Sequence, residues 1–326
     1  MRPMTKLEFI QVVEALIDNI ETVIIGNTET VEIAVATLLA SGHMLIEDVP
    51  GVGKTMLARS LAKSLDCSFK RIQFTPDLLP ADITGVSVFD RGTESFKFRP
   101  GPVFANIVLA DEINRATPKL QAALLECMEE FQITVDGATH QLPKPFFVMA
   151  TENLIEYEGT YRLPEAQLDR FLASVSLGYP RAADEARILD EQAVQHPIEL
   201  VEPVLSPDQL VELQRKVRRV HLDDSLKQYM VGLARATRQH PAIELGASPR
   251  GSIALMRLSQ ALAAVRQRSY VIPDDIKYVA PAALRHRIIL SSDVTFQGTD
   301  ARDVIDEILT EVAVPADSKE DSYETA

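Results

Sequence analysis

Two cysteines in 326 residues, Cys67 and Cys127, are too few to staple a fold, and no Cys-x-x-Cys spacing ties them to a metal or redox site. Both read as reduced core thiols of an intracellular chain. The six histidines are scattered without ligand spacing, and no Ser-His-Asp arrangement stands out. Transition-metal sites and triad hydrolases are set aside on that ground. Positive charge is also scarce: 33 Lys and Arg face 47 Asp and Glu, a formal net charge of -14, and the pI is near 4.9. Tight, non-specific binding to duplex DNA needs a basic footprint, so nucleic acid is disfavoured as a partner. No apolar run approaches the length of a membrane span. The chain opens on an amphipathic stretch broken by Glu8, Gln11 and Glu14, unlike a signal peptide. The expected location is cytoplasmic.

What is present is ordinary globular material, 46% apolar and 25% charged, enough for two domains without a disulfide or metal staple. Helical spacing runs from Leu7 to about Ile25, stops at Gly26-Asn27 and resumes over Glu29–Leu39. Short apolar strands follow at residues 43–46, 68–74, 107–110, 146–150 and 171–177, alternating with helices over residues 54–65 and 117–130. That alternation predicts an α/β fold, a parallel sheet flanked by helices. Asp90-Arg91-Gly92 and Asp136-Gly137 mark two β-hairpins, near residues 86–98 and 131–143.

After Pro180 the pattern becomes helical. Leu210, Leu213, Val217 and Val220 share a face, as do Leu222, Leu226, Met230 and Leu233. Ile253, Leu258, Leu262 and Val265 follow, then Ile276, Val279, Ala283 and Ile288. The change falls within 181–205, where His196-Pro197 and Pro203 break regularity. Residues 1–195 therefore read as an α/β nucleotide-binding core and 196–314 as an all-helical C-terminal domain. Residues 315–326 read as an acidic, disordered tail.

The chemistry centres on Val49-Pro50-Gly51-Val52-Gly53-Lys54-Thr55, between a strand and a helix. Glycines let backbone amides turn around phosphate oxygens at a helix N-terminus. Lys54 reaches the β- and γ-phosphates of ATP, and Thr55 ligates Mg²⁺. Asp48 stands where this P-loop pattern begins with glycine; an inward carboxylate would repel phosphate, so it is expected to point away. A second buried strand, Ile107-Val108-Leu109-Ala110, ends in Asp111-Glu112. Asp111 is assigned to the magnesium and Glu112 to deprotonating the attacking water. Asn153, at the end of Phe147–Ala150, is placed to orient that water. In isolation, the acids could be a helix cap and the Asn a turn residue; their conjunction with the loop favours catalysis.

These segments, with Ala110-Asp111-Glu112-Ile113-Asn114-Arg115-Ala116, Ala150-Thr151-Glu152-Asn153, Glu158-Gly159-Thr160-Tyr161, Leu163-Pro164-Glu165-Ala166-Gln167-Leu168-Asp169-Arg170-Phe171 and Ser248-Pro249-Arg250-Gly251, resemble the MoxR family of AAA+ ATPases, near its magnesium-chelatase branch. The resemblance covers residues 20–290 in order. It implies an AAA+ core with a helical lid, and a homo-oligomeric, hexameric ring. Arg170 would be an arginine finger serving a neighbouring subunit, Arg250 the sensor 2 residue of the lid, and Ile25-Gly26 a lining of the adenine pocket. Arg115 would sense the nucleotide state. The hairpins resemble the helix 2 and pre-sensor 1 insertions, and Phe89, Phe96 and Phe98 there either grip a client or pack locally. The implied output is chaperone-like remodelling or maturation of a client, often with a von Willebrand factor A domain partner. Three alternatives share the motifs: the motor of a magnesium-chelatase-like complex, a nucleotide-gated scaffold with little turnover, and a DNA-acting motor.

Overall fold

The computed structural model describes residues 6–153, 160–193 and 195–315. It divides into two compact units, Met1–Arg219 and Val220–Ala326. The expected disorder of the tail beyond Pro315 and the segment Glu158-Gly159 lie outside the described residues.

In the first unit, α1 (Lys6–Val23) and α2 (Thr28–Leu39) lead into β1 (Met44–Glu47) and α3 (Lys54–Ser64). Then come β2 (Phe69–Gln73), the short α4 (Pro80–Thr84), and the hairpin β3 (Gly85–Asp90) and β4 (Ser95–Pro100). β5 (Ile107–Asp111) and α5 (Pro118–Glu130) precede a second hairpin, β6 (Gln132–Val135) and β7 (Ala138–Gln141). β8 (Phe147–Glu152), α6 (Glu165–Leu168), β9 (Ala173–Val175), α7 (Ala182–Gln192) and α8 (Pro207–Val217) complete it.

Five strands form one sheet in the order β2-β5-β8-β1-β9, all pairs parallel. Its strands are apolar on both faces because both are covered. Leu45, Val108, Ala110, Val148 and Ala150 share a core with Leu120, Leu124, Leu125 and Met128 of α5. The alternate residues Met44, Ile46, Ile107, Leu109, Phe147 and Met149 are equally buried and point to the other face. Each fully buried Leu of α5 contributes about 2 kcal/mol of transfer free energy.

His43 joins three of these elements from within the core. Its Nε2 donates to the Met128 carbonyl at 3.0 Å, and its Nδ1 accepts from the Val148 amide at 3.0 Å. Burial lowers its pKa to about 4, against the Met128 hydrogen bond, so the ring serves as a neutral structural bridge at ordinary pH. The thiols of Cys67 and Cys127 are free, and burial pushes both up to about 12.

α8 lies within the first unit, Met1–Arg219. The helix starts sharply: Ser206 and Gln209 form a reciprocal capping box, with Pro207 at the first position. Leu210, Leu213 and Val217 are buried, and Gln214 donates to the Leu38 carbonyl at the end of α2 at 2.8 Å. Periodicity identified the helix and its apolar face, but not the unit that receives it.

The second unit holds α9 (Asp224–Thr237), β10 (Ile243–Leu245), α10 (Pro249–Val265), α11 (Pro273–Leu284), β11 (Ile289–Leu290), α12 (Ser292–Phe296) and α13 (Ala301–Glu311). It is helical, with one addition to the all-helical expectation: β10 and β11 pair antiparallel. α10 packs on α9 and α11, and α13 on the same two helices. Leu258, Leu262, Ile276 and Val279 are buried as expected, whereas Ile253 stays exposed. Among the described residues, no helix is long and apolar enough to cross a membrane.

Asp275, fully buried, is held by a bidentate Arg268, with Nη1 2.6 Å from Oδ2. Removing one partner of such a pair strands a charge in the interior. Arg268→Ala is expected to destabilise the second unit by about 3 kcal/mol, measured by urea unfolding; a loss under about 0.5 kcal/mol, a surface-pair value, would mean that Asp275 finds other solvation.

Candidate nucleotide site

From Glu47 the chain turns through Asp48–Gly53 into α3. Gly53 caps α3 with φ +97°, a left-handed conformation that a Cβ disfavours. The first turn of α3 then offers amide N–H groups without intrahelical partners, at the positive end of the helix dipole. Asp48 is buried and turned out of the loop. Its Oδ2 accepts from the amides of Leu177 at 2.6 Å and Gly178 at 2.8 Å and from Ser176 Oγ at 3.0 Å, while Oδ1 accepts from the Val49 amide at 2.8 Å. The carboxylate thus pins the loop to the segment after β9. Lys54 Nζ donates to the Asp48 carbonyl at 2.7 Å. Burial lowers the Lys54 pKa, opposed by Asp48, Asp111 and Glu112.

Register between β5 and β8, with Ala110 opposite Ala150, brings Asp111 and Glu112 beside Thr151. The Thr151 hydroxyl donates to Asp111 Oδ1 at 2.6 Å and accepts from the Glu112 amide at 2.9 Å. Glu112 adopts φ +57°, ψ +51°, a left-handed backbone that costs a non-glycine residue about 1 kcal/mol. Its carboxylate meets Arg115 Nε at 2.9 Å. Asp111 Oδ2 accepts from Arg71 Nε at 2.9 Å and from its terminal nitrogen at 2.6 Å.

A cavity of about 270 Å³ at this edge of the sheet is lined by Pro50, Gly51, Gly53, Lys54, Thr55, Asp111, Glu112 and Asn153. All eight were singled out from the sequence. Arg71, Thr151 and Met56 line it too and were not foreseen. Arg71 and Gln73 alternate on β2, whose Gln73 pairs with Asp111; two polar residues spaced by two at a strand end were the available signal. Val52 belongs to the loop but not to the lining. Ile24 approaches Gly53, and the carboxylate of Asp184 lies over Gly26 where a Cβ would collide; Gly26 has φ +78°, and Ile25 is buried beside it.

Two cationic candidates remain, one in each unit. Arg170 precedes β9, at the opposite edge of the sheet, and pairs with Glu129 at 3.2 Å. Arg250 begins α10 in the second unit, its amide donating to Ser248 Oγ at 3.0 Å.

Comparison with known proteins puts a family to this arrangement. Residues 43–173 match the ATPase family associated with various cellular activities (AAA), and residues 235–308 match an AAA lid domain. Chaperone MoxR1 of Mycobacterium tuberculosis is 41% identical over 94% of this chain and 83% of its own. The chain belongs to the MoxR family of AAA+ ATPases. The uncharacterized protein YeaC of Bacillus subtilis is 55% identical over 92% of this chain and 93% of its own. A crystal structure of a presumed ATPase from Cytophaga hutchinsonii superimposes with a TM-score of 0.88 at 37% identity, covering 95% of this chain and 97% of that one. The chain is thus a nucleotide-binding, ATP-hydrolysing enzyme with an AAA+ core and a helical lid.

In this MoxR-family chain one carboxylate at the site's edge has its pKa raised by burial. Glu47 and Glu152 are register partners on β1 and β8, and a Glu152 oxygen is buried without a hydrogen-bond partner. Burial, then repulsion from Glu47, raises Glu152 from 4.5 to about 7, with Arg162 pulling the other way. The folded chain therefore keeps a proton that the unfolded chain releases near 4.5. Its stabilisation is complete below that pH and is lost as pH rises through about 7. Glu152→Gln is expected to match the wild type at pH 4 and to exceed it by about 2 kcal/mol at pH 8, measured by urea unfolding at both. Equal pH dependence in the two proteins would assign the proton elsewhere.

Proposed function

We propose that the chain couples ATP hydrolysis to chaperone-like remodelling or maturation of a client protein, as a cytoplasmic hexameric ring. The observation that carries the remodelling reading is the first hairpin. Phe89 on β3 and Phe96 on β4 form a cross-strand pair, ring centroids 5.3 Å apart, yet are 51% and 73% exposed. An exposed aromatic pair on a hairpin outside the nucleotide site supports contact with another chain. Phe98 differs: it is half-buried and stacks on His140 at 3.9 Å, so it ties the hairpins together. A von Willebrand factor A domain protein is the kind of partner that the family resemblance favours.

At the site, Gly51, Gly53 and the α3 N-terminus would cradle the phosphates, with Lys54 drawn from the Asp48 carbonyl toward them. Thr55 and Asp111 supply hard oxygen donors suited to Mg²⁺, and the pairing of Asp111 with a guanidinium supports its role as a cation's carboxylate. When bound, the metal would neutralise charge on the phosphates. Glu112 is the general base, its carboxylate turned by the left-handed backbone and steadied by Arg115. Asn153 orients the attacking water. Ile25-Gly26 would flank the adenine. Arg250, at the start of α10, is the candidate sensor 2 residue of the lid. Arg170, at the sheet edge away from the cavity, would complete the site of a neighbouring subunit, where it stabilises charge that develops in the transition state.

Lys54→Ala is expected to abolish ATP binding, while Glu112→Gln keeps binding and loses turnover by about 10²-fold or more. Wild-type turnover in Glu112→Gln would remove it as the base. Arg170→Ala should slow hydrolysis by about 10³-fold with little loss of binding. Mixing Arg170→Ala with Glu112→Gln subunits should restore activity at the interfaces that contain both intact groups. Subunit exchange, followed by labelled chains, without any recovery would argue against action in trans.

For the client-facing hairpin, the double variant Phe89→Ala, Phe96→Ala is expected to keep basal ATPase within about twofold, the null range for a surface change, and to lose remodelling. Full remodelling by that variant would separate the hairpin from client contact.

A further inference from the structure

A second cavity, of about 260 Å³, opens at the strand-start edge of the sheet, where Ser41 precedes β1 and Lys144–Phe146 precede β8. Phe131, Phe146 and Val211 give it apolar walls, and Lys144, Arg215 and Arg218 stand around it. All three cations are exposed, and none is paired with a carboxylate among the described residues. In a chain of net charge -14, such a concentration of unpaired positive charge calls for an anionic occupant.

α7 offers the complement. This 11-residue helix has no buried residue, although a helix so short is marginal unless packing supports it. Asp184 and Ile188, four apart, are half-buried and mark its inner side. Outward stand Glu185 and Leu189, with Asp190 beside them, all exposed; Leu189 is 71% exposed. Glu191 is engaged by Arg187 within the helix, so Glu185 and Asp190 carry the charge available to a partner.

The two surfaces lie at opposite edges of one sheet. α7 follows β9 at the strand-end edge, with Asp184 over Gly26, and the basic cleft lies at the strand-start edge. Two such patches on one rigid sheet do not meet each other within a chain. They meet head to tail between copies, the heterologous contact that closes into a ring. Arg170 lies at the same edge as the cleft, just before β9.

We propose that α7 of one subunit docks in the basic cleft of the next, Leu189 against Phe131, Phe146 and Val211, with Glu185 and Asp190 among Lys144, Arg215 and Arg218. The contact brings the Arg170 edge of one subunit toward the nucleotide edge of its neighbour. This inference rests on the ring reading above and names the surfaces that build it.

Charge reversal tests it. Full-length wild type, E185K/D190K, R215E/R218E and the chain carrying all four changes are compared by sedimentation velocity with a non-hydrolysable ATP analogue. Circular dichroism verifies folding. Each one-sided variant should need at least about tenfold more protein to assemble, and the four-fold variant should recover to within a few-fold of wild type. Leu189→Ala, without any charge change, should also weaken assembly. One-sided variants that assemble like wild type, or a folded four-fold variant that fails to recover, overturn the docking while leaving a wild-type ring intact. A wild type that sediments only as a monomer overturns the ring reading itself, and the docking with it.

Discussion

Parallel pairing of five strands sends every strand end to one edge of the sheet and every strand start to the other. The β5–β8 register then determines which residues meet: with Ala110 opposite Ala150, the acids after β5 and the Thr151 hydroxyl of β8 occupy one place. A slip of one residue would reverse the faces of Val108, Ala110, Val148 and Ala150 and empty the core under α5. The buried core and the site are therefore specified by the same alternation. His43, hydrogen-bonded to both α5 and β8, reinforces it from the interior.

Charge at the strand-end edge is balanced by partners that a polyanion can displace or recruit. Lys54 leans on a carbonyl, Arg71 on Asp111 and Arg115 on Glu112. Asp48, the carboxylate that seemed least suited to a phosphate loop, is satisfied by two amides and a hydroxyl of the chain after β9. Its negative charge thereby anchors the loop instead of opposing phosphate. Glu152 is treated differently: with Glu47 beside it and one oxygen unpartnered, it keeps its proton to near neutrality. Asp48 is thus buried with its oxygens satisfied, and Glu152 is buried with one oxygen unpartnered.

Elements outside this centre divide into those that pack and those that remain uncovered. Phe98 and His140 stack and join the two hairpins, whereas Phe89 and Phe96 pair with each other and stay exposed. α8 buries three apolar residues, and α7, of equal length, buries none. The uncovered elements are the ones on which client contact and subunit docking are proposed.

Much of this was legible in the chain itself. Apolar runs of strand length announced five strands, Asp-x-Gly and Asp-Gly turns announced both hairpins, and glycines before Lys54 announced a phosphate loop, because each follows from local spacing or backbone conformation. The acids of the candidate site were legible because Asp111-Glu112 terminates a buried run. Arg71 and Thr151 were not, since each reaches the site through strand pairing with residues about forty positions away. The unit that receives α8 was hidden for the same reason: helical periodicity reports an apolar face but not the surface that will cover it. Nor could the sequence reveal that α7 lacks cover or that Lys144 stands with Arg215 and Arg218. Those are facts of solvent exposure and of distance between remote segments, and only the folded chain brings the segments together.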